Sequence, residues 1–291
     1  MDVHLIDGTY ELFRHYFAVP SRTSASGVEV GAYRGVLGNV LTLLEGGATH
    51  VAVATDHVIE SFRNELWPGY KDGSGVEPEL LAQFVPLEDG LRAMGVTVWP
   101  MVEYEADDAM AAGAHLAARD ERVERVWICT VDKDLAQCVG GKVVQWDRRK
   151  DVVLDVEGVR EKFGVDPESI PDYLGLVGDS ADGFPGLAGW GAKSTASVLA
   201  RYGHIEDIPL NSGDWDIKVR GAAKLAATLA EELDLALLFR RIATVELDAP
   251  VGESVDAMAW TGPRPEFMEI CQDIDAIGLA ERAVRLAESR S

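Results

Sequence analysis

Seven acidic residues stand where short apolar runs end or helical patterns begin, and hydrolytic, metal-assisted chemistry is what such a set could do. Asp7 follows the run Val3–Ile6, Asp56 follows His50–Thr55, and Asp132 with Asp134 follow Val126–Val131. Glu105, Asp107 and Asp108 open a helical pattern, with Glu105 and Asp108 three apart and therefore on one helix face. In an open parallel sheet the carboxyl ends of the strands form one edge, the usual place for a ligand, so these acids are expected to converge there. Carboxylates gathered in one crevice repel one another unless cations sit between them. An all-oxygen donor set selects Mg²⁺ or Mn²⁺ over zinc. Each acid also has an ordinary reading, as an Asp-Gly turn, a helix cap or a complement to a helix dipole; it is their joint placement that points to metal.

A second acidic pair, Asp179 and Asp182 in VGDSADGFPG, precedes Gly189-Trp190-Gly191 and Lys193, which lead into an alanine-rich helix. Glycines before a helix let backbone N–H groups approach a phosphate, and a lysine in the first turn adds charge. Positive φ is the conformation expected of Gly191. Beside a metal-site candidate this suggests a phosphodiester backbone as ligand.

The elements that must position these groups read as α/β in the first half and helical in the second. Val3–Ile6, His50–Thr55, Thr97–Pro100, Val126–Val131 and Val143–Trp146 are strand candidates, the second and fourth almost wholly apolar as central parallel strands are. Helical spacing predicts helices over Val30–Leu44, Glu79–Met94 and Ala106–Arg119, the first two followed by glycines. From about Asp166 the strand signals stop, prolines and glycines punctuate short helices, and Ala222–Arg241 reads as one long helix. Gly69–Glu77 reads as a loop or surface turn.

The 291 residues suffice for two domains with ordinary cores, at 47% hydrophobic content. Subtracting 49 acidic from 27 basic residues gives −22, which argues against a simple basic-patch nucleic-acid binder or an anionic-membrane binder but does not exclude DNA as a substrate. Three cysteines without a C-x-x-C pair argue against a disulfide framework or zinc knuckle and fit a reducing cytoplasm. No leader pattern opens the sequence and no run is long enough to cross a bilayer.

In order, LIDGTYELFRHYFAVP (Leu5 to Pro20), FRNELWPGYK (Phe62 to Lys71), YEADDAMA (Tyr104 to Ala111), TVDKDLAQ (Thr130 to Gln137) and GDSADGFPGLAGWGAKSTA (Gly178 to Ala196) resemble the motifs of the 5′-nuclease family, the flap endonucleases and the 5′-exonuclease domain of bacterial DNA polymerase I. The resemblance covers nearly the whole chain and implies a resolvase-like (PIN/FEN-like) parallel sheet with helices on both faces, plus a helix-three-turn-helix module. It implies an α/β catalytic domain over 1–165, with an arch segment near 62–90, and a helical DNA-binding region over 166–291. Family metal ligands match Asp7, Asp56, Glu105, Asp107, Asp108, Asp132, Asp134, Asp179 and Asp182. The arch phosphate contacts match Arg63 and Lys71, and the hairpin contacts match Gly186, Gly189, Gly191 and Lys193.

The resemblance also implies hydrolysis of DNA phosphodiesters by two or more Mg²⁺ or Mn²⁺ ions, 5′-3′ exonucleolytic and 5′-flap endonucleolytic, in replication and repair. Asp7, Asp56, Asp107 and Asp108 would mainly build one metal site, Asp134, Asp179 and Asp182 the other, with Asp132 between them and Lys71, Arg63 and Asp132 catalytic. The family's hairpin implies a K⁺ site, and the expected partner is branched or nicked DNA with a 5′ flap or 5′ end, DNA or RNA-primed. A monomer in the bacterial cytoplasm, associated with the nucleoid and with no membrane contact, is expected. Three positions depart from the family pattern: Ser74 where the arch usually has a second arginine, and Ala181 and Gly183 in the GDSSDN-type loop. Lys193, Arg201, Lys218, Arg220 and Lys224 are candidates for localised duplex contacts. Two rival readings are a non-catalytic structure-specific DNA binder and a phosphohydrolase using Asp7 as nucleophile; the latter usually wants an Asp where Thr9 stands.

Overall fold

The computed structural model describes residues 1–290. Along the chain run β1 (Asp2–Asp7), α1 (Gly8–Ala18), α2 (Gly31–Glu45), β2 (His50–Asp56), α3 (Arg63–Leu66), α4 (Pro78–Leu81), α5 (Phe84–Met94), β3 (Thr97–Met101), α6 (Ala106–Ala118) and β4 (Arg125–Cys129). They are followed by β5 (Val143–Asp147), β6 (Val152–Leu154), α7 (Val156–Phe163), α8 (Ile170–Val177), α9 (Ala192–Tyr202), α10 (Ala222–Glu231), α11 (Leu233–Ala243), α12 (Glu266–Asp273) and α13 (Ile277–Arg290). These fall into two compact units, one formed by Met1–Ile59, Gly73–Thr130 and the chain from Leu247, the other by Glu60–Asp72 and Val131–Glu246. The units interleave, so contact partition differs from a single cut at 165/166: the last helices pack into the first unit, and the Glu60–Asp72 stretch into the second.

In the first unit the strands lie parallel in the order β3-β2-β1-β4, with helices on both faces. Val3, Leu5 and Ile6 of β1, Val51 to Ala54 of β2 and Val126 and Ile128 of β4 are fully or almost fully buried, as the apolar runs require. Asp7 pairs with Ala54 and Asp56 with Met101, so both acids end up at the same edge of the sheet. All five expected strands form, within two residues of their expected ends. The Glu79–Met94 pattern is divided between α4 and α5, with Ala82 and Gln83 left between them; the buried Gln83 side chain accepts from Tyr33 N at 3.0 Å and donates to Glu79 O at 3.0 Å.

In the second unit β5 and β6 form an antiparallel hairpin, and the rest is helical. The expected long helix Ala222–Arg241 breaks at Glu232, giving α10 and α11. Gly175 of α8 lets that helix press on α11, since a Cβ there would stand 2.8 Å from Arg240 N. Phe184 and Phe239 stack 5.5 Å apart at the centre of this core, and Trp67 meets Phe239 edge-on at 5.0 Å.

Candidate metal centre

Each unit carries its own set of the nine acids. In the first, Asp7 is buried at the end of β1 and caps α1, its Oδ1 accepting from Tyr10 N at 2.8 Å while Oδ2 accepts from Thr130 Oγ1 at 2.9 Å. Asp56 is held between two elements: its N–H donates to Thr9 Oγ1 at 2.8 Å, and its Oδ1 accepts from Ala106 N, the first residue of α6, at 2.7 Å. Glu105 and Asp108 are buried at the start of α6, and Asp108 Oδ2 accepts from Glu105 N at 2.9 Å; Asp107 between them is half-buried. The capping reading of Asp7 and Asp108 is therefore true, and it also explains how these carboxylates are held rigid at the strand edge. Thr9 and Thr130, which fix Asp56 and Asp7, carry no recognisable signal in the sequence beyond standing near an acid.

In the second unit Asp134, Asp179 and Asp182 each bring a carboxylate oxygen within 4.8 Å of the others'. All three are buried, and Asp134 Oδ1 has no hydrogen-bond partner at all. Asp132, more exposed, turns its Oδ1 to accept from Asp134 N at 2.9 Å, and its carbonyl accepts from Gln145 Nε2. Burial, and then the charges of Asp132, Asp182 and Asp179, push the Asp134 carboxyl well above the ordinary range. An orphaned buried oxygen in an all-oxygen cluster of like charges is the environment a hard divalent cation relieves, so the donors fit Mg²⁺ or Mn²⁺.

Two ammonium groups partly offset this charge. Lys71 Nζ lies 2.9 Å from Asp182 Oδ1, and Lys133 pairs with Asp179. Burial pulls the Lys133 ammonium down, but its bond to Asp179 and the charges of Asp179, Asp134 and Asp132 outweigh that and leave it raised. Lys133 lies between two of the expected ligands in Asp132-Lys-Asp134 and is legible in the sequence only as their neighbour.

The segment carrying Lys71 is anchored through Asn64 Nδ2, which donates to Lys71 O at 3.0 Å, and Trp67 Nε1, which donates to Gly183 O at 3.1 Å. Gly183 has φ +82, and a Cβ there would stand 2.0 Å from Gly69 O, so this contact accepts glycine and no side chain. Ala181 N donates to Asp179 Oδ1 at 2.9 Å, an Asx turn that needs no side chain at 181.

Arg63 is placed otherwise than expected. It is 3% exposed, and its guanidinium donates to Ile242 O at 2.8 Å and Thr244 O at 3.0 Å, at the C-terminal end of α11. These bonds tie the segment that carries Arg63 to the end of α11, a structural role beside the phosphate contact expected of it. Arg201 is likewise paired, its Nε donating to Asp216 at 2.7 and 2.9 Å.

Gly186 is buried against the backbone of Gly178, whereas Gly189, Gly191 and Lys193 are exposed. Gly189 has φ +89. Gly191 does not share it: as the N-cap of α9 it has φ −113, and a Cβ there would meet nothing within 4 Å. The positive-φ expectation is thus corrected for Gly191, whose backbone any residue could adopt. Trp190, only a spacer in the sequence pattern, is 4% exposed and donates to Leu225 O at 3.2 Å, tying this turn to α10.

Residues 2–164 match the model of the 5′-3′ exonuclease N-terminal resolvase-like domain, and residues 165–266 that of the 5′-3′ exonuclease C-terminal SAM fold. The chain is 35% identical over 268 residues to DNA polymerase I of Pseudomonas aeruginosa, covering 91% of this chain but 29% of that protein. It is 32% identical over 212 residues to a 5′-3′ exonuclease of Aquifex aeolicus, covering 72% of each. The chain thus spans under a third of the polymerase relatives' length. Among solved structures, the fold is similar to a phage T5 flap endonuclease in a pseudo-enzyme-product complex with DNA and metal ions, at TM-score 0.66 and 22% identity, covering 99% of this chain and 100% of that one. It is also similar to the catalytic core of Rad2 in complex with DNA substrate, at TM-score 0.62 and 17% identity, covering 97% and 91%. Among the described residues no helix is long and apolar enough to cross a membrane. With two family models together running from residue 2 to 266, the chain belongs to the 5′-3′ exonuclease family.

Proposed function

We propose that the protein is a metal-dependent nuclease of DNA replication and repair, acting as a 5′-3′ exonuclease and structure-specific 5′-flap endonuclease. The observation that carries this is the Asp134, Asp179 and Asp182 cluster with its unpartnered buried oxygen, in a chain that also sets Asp7 and Asp56 on one sheet edge. Two or more Mg²⁺ or Mn²⁺ ions would supply activation of the attacking water and stabilisation of charge on the phosphoryl oxygens. Asp7, Asp56, Asp107 and Asp108, with Glu105, are the residues for one ion, and Asp134, Asp179 and Asp182, with Asp132, for another.

Lys71 is the candidate for a direct phosphate contact, since its half-buried ammonium is preset beside a carboxylate and gains a second anionic partner when substrate arrives. The N-terminus of α9, with exposed Gly189, Gly191 and Lys193, is the candidate duplex contact, and the same hairpin a K⁺ site. On this reading residues 1–165, with the arch near 62–90, carry most of the chemistry, Asp179 and Asp182 complete the second metal site, and the rest of 166–291 holds duplex. The protein would work as a monomer in the bacterial cytoplasm on DNA with a 5′ flap or 5′ end, RNA-primed strands included. A non-catalytic DNA binder would have no use for nine retained acids.

The test is product mapping on one 5′-flapped duplex labelled at either end, in Mg²⁺, Mn²⁺ and EDTA. Metal-dependent products released from the 5′ strand support the reading, and binding without turnover in either metal contradicts it.

A further inference from the structure

Lys133 is a cation built into the metal cluster itself. Its ammonium pairs with Asp179, one of the three carboxylates whose oxygens lie within 4.8 Å of one another. Asp134, the next residue along the chain, keeps a buried oxygen with no hydrogen-bond partner in the same cluster. Two carboxylates of the triad thus hold resident charges, Asp179 that of Lys133 and Asp182 that of Lys71, while Asp134 between them in the cluster is left wanting one. The Lys133 side chain is 35% exposed, so it has solvent to retreat into, whereas Asp179 at 4% has none. A divalent ion gripped by all three carboxylates would stand beside the ammonium, and two cations sharing one acceptor in a partly buried place repel strongly.

We propose that Lys133 competes with the divalent cation for Asp179: its ammonium holds that carboxylate in place of metal and must release it before Asp134, Asp179 and Asp182 can grip one ion together. This rests on the metal reading of the cluster under Proposed function. The lysine then sets how tightly the ion is held, preserving a preformed, soluble cluster without metal at the expense of affinity. Asp179 is kept from repelling Asp134 and Asp182 in the metal-free protein, and the lysine's four-carbon stem is flexible enough to swing away.

The experiment is a Mn²⁺ titration of the full chain without DNA, by calorimetry and by the electron paramagnetic resonance signal of free Mn²⁺, comparing wild type, Lys133→Met and Lys133→Arg. Lys133→Met should bind the cluster's ion about tenfold more tightly or better, one unit of charge having been removed from beside a dication. Lys133→Arg should bind no more tightly than wild type. Adding Asp179→Asn to Lys133→Met should erase the gain, which assigns it to the pair rather than to charge at a distance. If Lys133→Met melts early without metal, a larger Mn²⁺-induced rise in its Tm than in wild type supports the same conclusion. Unchanged or weaker Mn²⁺ binding by folded Lys133→Met, with wild type binding intact, overturns the proposal alone. If Asp134→Asn and Asp182→Asn leave the wild-type isotherm unaltered, the cluster is not a metal site and both readings fall.

Discussion

Lys71 fastens on Asp182 twice. Its backbone N–H donates to the Asp182 carbonyl at 3.0 Å, and its ammonium lies 2.9 Å from Asp182 Oδ1. The backbone bond fixes where the lysine starts, while the side chain, half-exposed on a flexible stem, remains able to change partner. A substrate phosphate would draw on that freedom without moving the segment.

Lys71→Ala is accordingly expected to lower kcat by roughly 10²-fold, the scale for losing one preorganised charge contact in a transition state. Duplex affinity should change much less. Equal losses in ground-state binding and kcat/KM, with kcat intact, would make the lysine a docking group; single-turnover kinetics beside a binding titration decide between them.

Asp134 links metal to stability. Its carboxyl is raised in the folded chain, by burial first and then by neighbouring acids. A raised carboxyl contributes stability that is complete below its unfolded value and is lost as pH climbs through the folded one. In EDTA at neutral pH, Asp134→Asn should therefore raise Tm, by about 2–4 °C for each kcal/mol of relieved repulsion. The advantage should fade on acidification. In Mn²⁺ the order should reverse, because only the wild type gains from the ion; melting curves with and without metal at two pH values check both signs.

Arg63→Ala should cost about 2–4 kcal/mol of stability, since it leaves the carbonyls of Ile242 and Thr244 without their buried donor. DNA affinity per folded molecule should hold. A variant with unchanged Tm but weakened DNA binding would return Arg63 to the phosphate contacts.

The two exposed glycines of the hairpin should separate. Gly189→Val forces a β-branched residue to φ near +89 and should destabilise by about 1–2 kcal/mol. Gly191→Val meets neither strain nor a clash and loses only glycine's advantage at the N-cap, so its Tm should fall less than that of Gly189→Val. If backbone at 191 approaches a phosphate, duplex binding alone should weaken in that variant while cleavage of a short single strand persists. Equal loss on both substrates would dismiss the hairpin as a separate duplex anchor.

Much of this architecture is legible in the sequence because the strands are so apolar. Val51–Ala54 and Val126–Ile128 could be little else than buried parallel strands, and once they are placed the acids at their ends fall on one edge. Boundaries set by tertiary contact are not legible. Apolar helix spacing runs on from Glu79 to Met94 and from Ala222 to Arg241, yet the first pattern is interrupted at Ala82 and Gln83, four and three residues before Pro86, and the second, which has no proline or glycine to mark it, divides at Glu232. β6, three residues with two exposed valines, has too little pattern to be seen. Arg63 reads as a surface cation beside the arch lysine, and only the fold reveals the α11 carbonyls that claim it. The pairing of Lys133 with Asp179 lies across a long loop of chain, with no local spacing to betray it.

The most direct test of a metal-dependent phosphodiesterase is the cleavage rate of a 5′-flapped duplex by wild type and Asp132→Asn, each in Mg²⁺ and in excess EDTA. Asp132 adjoins the cluster through Asp134 N without being buried, so its loss should spare the fold. The account predicts metal-dependent cleavage by wild type and a fall in kcat of at least ~10²-fold in the variant, with DNA binding kept or tightened. Full activity in EDTA, or an Asp132→Asn enzyme as fast as wild type, would contradict it.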